Sequence, residues 1–385
     1  MELNSKSQIG VIGAGAMGSG IAQVAATAGH AVCVYDVSEA SLKQSKANLS
    51  KIMARLVEKK RLSQEDADGI KSRVSYAEGL NHFESCDLII EAVVERLDIK
   101  QELFAHLENI MHADAVLATN TSSLSIASIG GKLKYPERFI GVHFFNPAPL
   151  MPLVEIVPSL VTSQKVSLQV FDLVKSWGKK TVIAKDTPGF IVNRVARPFY
   201  SESIKMLEEG FSDVPTIDWA MKELGGFRMG PFELMDLIGH DVNFVVTETV
   251  WTEMFYDPRY KPSITQKRLK EANMLGRKSG KGFYDYSDNA SKPTPNTDAS
   301  NGNEILNRVL FMLVNEAIDA LFLQIASSND IETAMTKGVN YPKGLLAWAK
   351  EIGYKTILDG LNALQDRFGD DRYRPSVLLK ELAKA

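Results

Sequence analysis

Cysteine is nearly absent from this chain: Cys33 and Cys86 are the only two in 385 residues. Both lie in or beside expected strands, with no metal-ligand spacing and no disulfide framework. A stapled secreted scaffold is therefore excluded, and no metal site is expected. An excess of one charge is missing too. The chain carries 44 Lys and Arg against 47 Asp and Glu, a net charge of −3. That leaves no basic surplus for nucleic acid or an anionic membrane, and neither is an expected partner, although a local pocket can still take an anionic substrate. No apolar run is long enough to cross a bilayer. The opening MELNSKSQIG lacks the apolar core of a signal segment, so a reducing cytoplasm is the expected location. What remains is ordinary globular composition, 45% hydrophobic, at a length that suits two or three domains.

The most informative stretch that is present runs from Gln8 to Gln23, QIGVIGAGAMGSGIAQ. A short apolar strand meets Gly13, Ala14, Gly15, Ala16, Met17 and Gly18, and a helix follows. In this G-x-G-x-x-G spacing Gly13 permits a tight turn, Gly15 a close approach to a pyrophosphate, and Gly18 close packing of helix on strand. The new helix turns its free N–H groups and positive dipole end toward phosphate. The hexapeptide alone is weak. A second strand, Ala31 to Tyr35, ends in Asp36, where an acid is expected to hold the adenosine ribose. A carboxylate there repels a 2′-phosphate, so NAD rather than NADP is the expected cofactor.

Strands and helices alternate as far as about residue 186, which predicts a mainly parallel sheet covered on both faces. Glu39 to Lys71 is too long for one crossover helix and predicts two helices projecting from the sheet. After Asp186 the strand pattern stops and helical periodicity takes over. Residues 287–303 (SDNASKPTPNTDASNGN) predict a structureless linker, and helical pattern resumes to the end. The last segment repeats the earlier one: Asn193-Arg194-Val195 returns as Asn307-Arg308-Val309, an offset of 114 that also takes Glu202 to Glu316 and Gly230 to Gly344. The expected architecture is an α/β Rossmann-like domain followed by two tandem all-α helical domains. The boundaries are 1–186, 187–286, a linker at 287–303, and a second, degenerate copy at 304–385.

His143 is the foremost candidate for chemistry, because an imidazole titrates near neutral pH and suits proton removal from an alcohol. Flanked by Phe144 and Phe145, it also reads as a core residue. Glu155, 12 residues on, shifts that balance, since a strand, a proline turn and a second strand bring its carboxylate beside the ring, the orienting arrangement of a triad. Ser122 follows the Ala115–Thr119 strand at the ligand-binding edge of such a sheet; it is placed to contact a substrate oxygen and nicotinamide, or to cap the helix from Leu124.

Taken together, the glycine fingerprint, Asn120-Thr121-Ser122-Ser123-Leu124, Gly141 to Pro147 (GVHFFNP), Leu153-Val154-Glu155 and Pro188 to Arg194 (PGFIVNR) resemble the L-3-hydroxyacyl-CoA dehydrogenase family. The likeness covers residues 7 to about 286, and the repeat extends it to the end. The wording VNRVARPFYSE and DLIGHDVNF is similar to that of bacterial members of the phenylacetate-degradation type. The resemblance implies NAD-dependent oxidation of an L-3-hydroxyacyl-CoA, with 3-hydroxyadipyl-CoA or 3-hydroxybutyryl-CoA as candidate substrates and a His143–Glu155 base. It implies Ser122 and Asn193 at the substrate oxygens, and Asp36, Glu95, Lys100, Ser122, Asn146 and Lys278 at the cofactor. Lys59 matches a family lysine for coenzyme A, while a family serine nearby is replaced by Ile52. Arg197, one turn beyond Asn193 and replaced by Phe311 in the second copy, is a candidate for a distal substrate carboxylate. Family members with one helical domain dimerise through it, so the second copy is expected to take the place of that contact. Two alternatives stay open at this point: another NAD-dependent β-hydroxyacid dehydrogenase with a lysine base, and a non-catalytic NAD-binding relative.

Overall fold

The computed structural model describes residues 2–291 and 293–384 and divides into two compact units, Met1–Thr187 and Pro188–Ala385. The first is an eight-stranded sheet with helices on its faces. Its strands are β1 (Ile9–Ile12), β2 (Val32–Tyr35), β3 (Val74–Tyr76), β4 (Leu88–Glu91), β5 (Val116–Thr119), β6 (Phe139–Phe144), β7 (Leu153–Pro158) and β8 (Lys180–Ile183). Their order is β3-β2-β1-β4-β5-β6-β7-β8. All neighbours run parallel except β6 and β7, which are antiparallel. β1 and β4 lie side by side in the interior of the sheet and are buried throughout, which is why both read as short apolar runs. The order reverses between them, and ligands of open α/β sheets bind at the carboxyl ends of the strands beside such a reversal.

The helices of this unit are α1 (Ala16–Thr27), α2 (Glu39–Glu58), α3 (Gln64–Ser72), α4 (Leu97–Glu108), α5 (Ile126–Gly130) and α6 (Gln164–Ser176). The long stretch after Asp36 does form two helices, α2 and α3. Each starts at a serine, Ser38 or Ser63, whose hydroxyl accepts a first-turn N–H. Only Ser45, Leu49 and Met53 of the 20 residues of α2 are buried, so most of its surface is solvated. Cys33 and Cys86 are free thiols.

The second unit is helical: α7 (Val192–Val195), α8 (Arg197–Glu208), α9 (Val214–Trp219), α10 (Pro231–Ile238), α11 (His240–Glu253), α12 (Ile264–Glu271), α13 (Ala299–Phe322), α14 (Ser328–Gly338), α15 (Leu345–Ile352), α16 (Tyr354–Phe368) and α17 (Val377–Leu382). Residues 188–385 pack as one compact unit. The reason is α13, which is buried nearly all the way round from Ile305 to Ile318 and serves as the unit's central helix against α8. Residues 287–303 also depart from a structureless linker. α13 already begins at Ala299, where the Asp298 carboxylate accepts the Asn301 N–H.

Ion pairs across the two segments are reciprocal. Arg194 donates to Glu316 at 2.7 Å, and Arg308, its equivalent 114 residues on, donates to Glu202, the equivalent of Glu316. Tyr260 donates to Glu316 as Tyr373 donates to Glu202. Arg374 reaches back to Asp257. Burial works to raise the pKa of Glu316, but the Arg194 and Arg259 guanidiniums outweigh it and hold the carboxylate below its usual range. Among the described residues, no helix is long and apolar enough to cross a membrane.

Candidate active site

At the carboxyl end of β1 the chain turns through Gly13 with φ +102, a conformation that favours glycine. A Cβ at Gly18 would stand 1.8 Å from the Gly13 carbonyl oxygen, so helix α1 can approach the strand only with glycine there. A Cβ at Gly15 would meet nothing within 4 Å, which leaves that side of the turn open. Gly15 is the N-cap of helix α1, which has no capping side chain and no acid in its first turn. The first turn of the helix thus carries no carboxylate of its own to compete with a bound anion. Ala14, Ala16 and Met17 complete the turn. Asp36, at the end of β2, accepts the Ala14 N–H at 2.7 Å and the Ser38 N–H at 2.8 Å. It therefore shapes the glycine turn. These residues fit a dinucleotide: Gly13 to Gly18 for the pyrophosphate and Asp36 for the ribose.

The next layer joins the ends of β4, β5 and β6. Glu91, the last residue of β4, is fully buried; it accepts from Lys100 Nζ at 2.6 Å, from Thr119 Oγ1 at 2.7 Å and from the Val93 N–H at 2.6 Å. Lys100 is itself 1% exposed and also lies 3.2 Å from Glu95, so it is an inward-facing charge beneath the loop. One Glu95 oxygen accepts from the Ser122 N–H at 3.0 Å, from the Ser123 N–H at 3.2 Å and from the hydroxyls of Thr121 and Ser123. Burial pushes the Glu95 carboxyl upward, but Lys100 and these donors prevail and lower its pKa overall. The loop that carries Ser122 is thus pinned from below by two carboxylates and a buried lysine. Ser125 is the N-cap of the following helix, and its hydroxyl accepts the Ser128 N–H. Glu91 and Thr119 were not singled out from the sequence, although an acid inside the apolar run LIIEAVV was the available signal. Asn120 was missed as well: its side-chain oxygen accepts the Phe144 N–H at 2.8 Å and ties β5 to the end of β6.

His143 and Glu155 face each other across the antiparallel pair β6–β7, where the register sets His143 opposite Glu155. The ring Nδ1 lies 2.7 Å from Glu155 Oε2, with both residues buried. A carboxylate accepts only, so Nδ1 carries the proton and the neutral ring's lone pair is on Nε2. The Phe145 ring lies 4.5 Å from the imidazole, centroid to centroid. Asn146 opens the exposed turn after β6. A residue the sequence reading passed over, Lys179, holds that turn by donating to the carbonyls of Ala148 and Met151 at 2.5 and 2.9 Å.

Within the helical unit, Asn193 lies half-buried in the short helix α7. Lys278 is half-exposed and paired with Asp241 at 2.5 Å. Lys59, at the end of α2, is exposed among Lys51, Ile52 and Lys60. Arg197 departs from the expectation that it meets a ligand carboxylate. It is 5% exposed, and its guanidinium is engaged by the Asn193 carbonyl, the Thr247 hydroxyl and the Tyr200 ring. Helical spacing put it near Asn193 but did not reveal that its side chain turns inward.

The glycine turn, Asp36 at the second strand and a strand reversal in the interior of the sheet define a dinucleotide-binding oxidoreductase, and the buried His–Glu pair suits it to alcohol chemistry. The family model described as 3-hydroxyacyl-CoA dehydrogenase, NAD binding domain, matches residues 8–187, and its C-terminal domain counterpart matches residues 189–286 and 305–385. The chain is 37% identical to the 3-hydroxyadipyl-CoA dehydrogenase of Escherichia coli (strain K12), covering 97% of each. It is 41% identical to the 3-hydroxybutyryl-CoA dehydrogenase of Bradyrhizobium diazoefficiens, over 75% of this chain and 97% of the relative. A crystal structure of 3-hydroxybutyryl-CoA dehydrogenase from Escherichia coli K12 superposes with a TM-score of 0.92 at 36% identity, covering 98% of both chains. The chain belongs to the 3-hydroxyacyl-CoA dehydrogenase family and is an NAD-dependent oxidoreductase.

Proposed function

We propose that His143 is the general base in a reversible oxidation of an L-3-hydroxyacyl-CoA to the 3-oxoacyl-CoA. The observation that carries this reading is the buried 2.7 Å contact between His143 Nδ1 and Glu155. With Nδ1–H held by the carboxylate, Nε2 takes the proton of the C3 hydroxyl, and Glu155 stabilises the imidazolium that results. Bound NAD supplies the hydride acceptor. Ser122, on the loop pinned by Glu95, and Asn193 steady the substrate oxygens. Gly13 to Gly18, Asp36, Glu95, Lys100, Asn146 and Lys278 make up the cofactor set, and Lys59 contributes to coenzyme A.

Two finer points belong to the same reading. The acyl group is of the 3-hydroxyadipyl type, supported by the relative of that name that spans 97% of this chain. The helical unit holds two tandem copies of one domain, and the second takes the place of the family's dimer partner, supported by the reciprocal pairs Arg194–Glu316 and Arg308–Glu202. The unpaired Cys33 and Cys86 support a reducing, cytoplasmic location.

The test follows loss of NADH absorbance with acetoacetyl-CoA and with 3-oxoadipyl-CoA. Turnover is expected with both, with the higher kcat/KM for the dicarboxylyl substrate. His143→Ala is expected to lower kcat by about 10²–10⁴-fold while NADH binding persists. Activity retained in that variant would sink the mechanism and favour a lysine base. Tight NADH binding without turnover on either substrate would favour a non-catalytic role.

A further inference from the structure

Arg197 is a buried cation in the helical unit, and its contacts define a task. Its Nε–H donates to the Asn193 carbonyl at 2.9 Å, and Nη1 donates to Thr247 Oγ1 at 2.9 Å. That hydroxyl in turn donates to the Asn243 carbonyl at 2.8 Å and accepts from the Gln266 amide at 3.2 Å. The Tyr200 ring lies 5.0 Å from the guanidinium carbon. Burial holds the Arg197 pKa below its ordinary value, against the influence of Tyr200 and Tyr341. The guanidinium is thus tied at one end to a buried polar network and at the other to the backbone of Asn193.

The chain breaks at this point. α7 ends at Val195, α8 begins at Arg197, and Pro198 follows in its first turn. Proline has no N–H, so the helical ladder cannot run unbroken through this turn. The second segment supplies an internal control. At the same register it has Phe311 and Met312 inside α13, a helix that continues without a break from Ala299 to Phe322. There the asparagine equivalent, Asn307, lies on a continuous helix and is exposed. A helix that ends must have its last carbonyls met by other donors, and a break leaves the final turn free to shift unless something holds it.

We propose that Arg197 is a positioning residue: by holding the Asn193 backbone at the α7–α8 break, it aims the Asn193 amide at the substrate oxygen. This rests on the role given to Asn193 above. It also accounts for the arginine being present only in the first segment, where an asparagine must be held at a broken helix.

The test compares Asn193→Ala, Arg197→Met and Arg197→Lys with the double variant Asn193→Ala/Arg197→Met, in the full chain with acetoacetyl-CoA and NADH. The contacts that Arg197 makes are to a carbonyl, a hydroxyl and a ring, so methionine in its place strands no opposite charge. Arg197→Met is therefore expected to keep its melting temperature and NADH affinity while kcat falls about ten-fold or more, with a smaller change in KM. Arg197→Lys, which still donates to a carbonyl, is expected to recover part of that loss. In the double variant the methionine is expected to add nothing to the loss from Asn193→Ala, because both act through one side chain. If Arg197→Met does not fold, Thr247→Val carries the test, since it frees the other end of the guanidinium and is expected to lower kcat several-fold. Normal kcat in a folded Arg197→Met, or in Thr247→Val where that variant is needed, overturns the proposal, as do multiplying losses in the double variant. If Asn193→Ala itself is fully active, the role of Asn193 falls and this proposal with it; if Asn193→Ala is impaired and Arg197→Met is not, this proposal alone falls.

Discussion

At the scale of single residues, the His143–Glu155 pair separates geometry from charge. Glutamine at position 155 keeps an acceptor of the same shape for Nδ1–H, so the ring stays in place. It removes the negative charge that stabilises the imidazolium formed as the substrate hydroxyl loses its proton, and its amide can also hold the wrong tautomer. Glu155→Gln is therefore expected to lower kcat by about 100-fold or more with little change in KM, because the carboxylate assists the reacting state rather than substrate binding. Steady-state kinetics on the folded variant decide it. A kcat close to that of the unsubstituted protein would show that the carboxylate serves packing only. The pair was legible in the sequence for a simple reason. A histidine and an acid 12 residues apart, each in an apolar run and separated by prolines, can face each other across a hairpin-like strand pair, and the β6–β7 register does this. Arg197 was misread for an equally simple reason: spacing along a helix tells which residues are neighbours and says nothing about which way a long side chain folds.

At the scale of elements, the N-terminus of α10 carries the clearest pH dependence. Asp218 accepts the N–H groups of Phe232 and Glu233 at 2.9 and 3.0 Å and the Tyr284 hydroxyl at 2.7 Å. Burial nevertheless pushes its carboxyl up to about 7, from 3.8. Between those values the folded chain keeps a proton that the unfolded chain has released. The stabilisation from this group is complete below about pH 4 and is lost as the pH rises through 7. Glu95, Asp257 and Glu316 shift the other way, so what they contribute is lost only in acid, as the pH falls below their ordinary range. Histidines also titrate between pH 5 and 8, so the diagnostic is a difference between proteins. Denaturant unfolding at pH 5.5 and pH 8 is expected to show a steeper loss of stability with pH in the unsubstituted chain than in Asp218→Asn, by up to about 1.4 kcal/mol per pH unit. Equal slopes would show that Asp218 is ionised throughout. Elements were mostly legible where one physical cause dominates: buried parallel strands as apolar runs, and α2 and α3 as amphipathic helices opened by serine caps. The start of α13 was not. Its first turns, Ala-Ser-Asn-Gly-Asn, have the composition of a loop. Gly302 lies where a Cβ would come within 2.6 Å of the Leu224 and Trp219 side chains, so close packing against another part of the chain, not local propensity, draws those residues into the helix.

At the scale of the whole molecule, the helical unit has the contact pattern of a two-fold symmetric dimer written into one chain. In such an interface residue i meets j and j meets i; here Arg194 meets Glu316, and their equivalents Arg308 and Glu202 meet in turn. Tethering holds the two segments together at an effective concentration that separate chains do not reach. A chain ending at residue 303 would lose Glu316 and leave Arg194, Arg259 and Tyr260 without their shared carboxylate, together with the apolar face that α13 covers. Exposing that apolar face to water is unfavourable, and the shortened chain can cover it again by pairing with itself. Arg194 of one copy would then meet Glu202 of the other, as Arg308 meets Glu202 in the intact protein. The truncated protein is therefore expected to dimerise, or to aggregate where pairing is incomplete, while the full chain shows no association through this face. Light scattering on both proteins over a range of concentrations distinguishes them. A truncated chain that stays soluble and monomeric would mean that the second segment covers nothing the first one needs, and that the reciprocal ion pairs are a relic of duplication without a structural task.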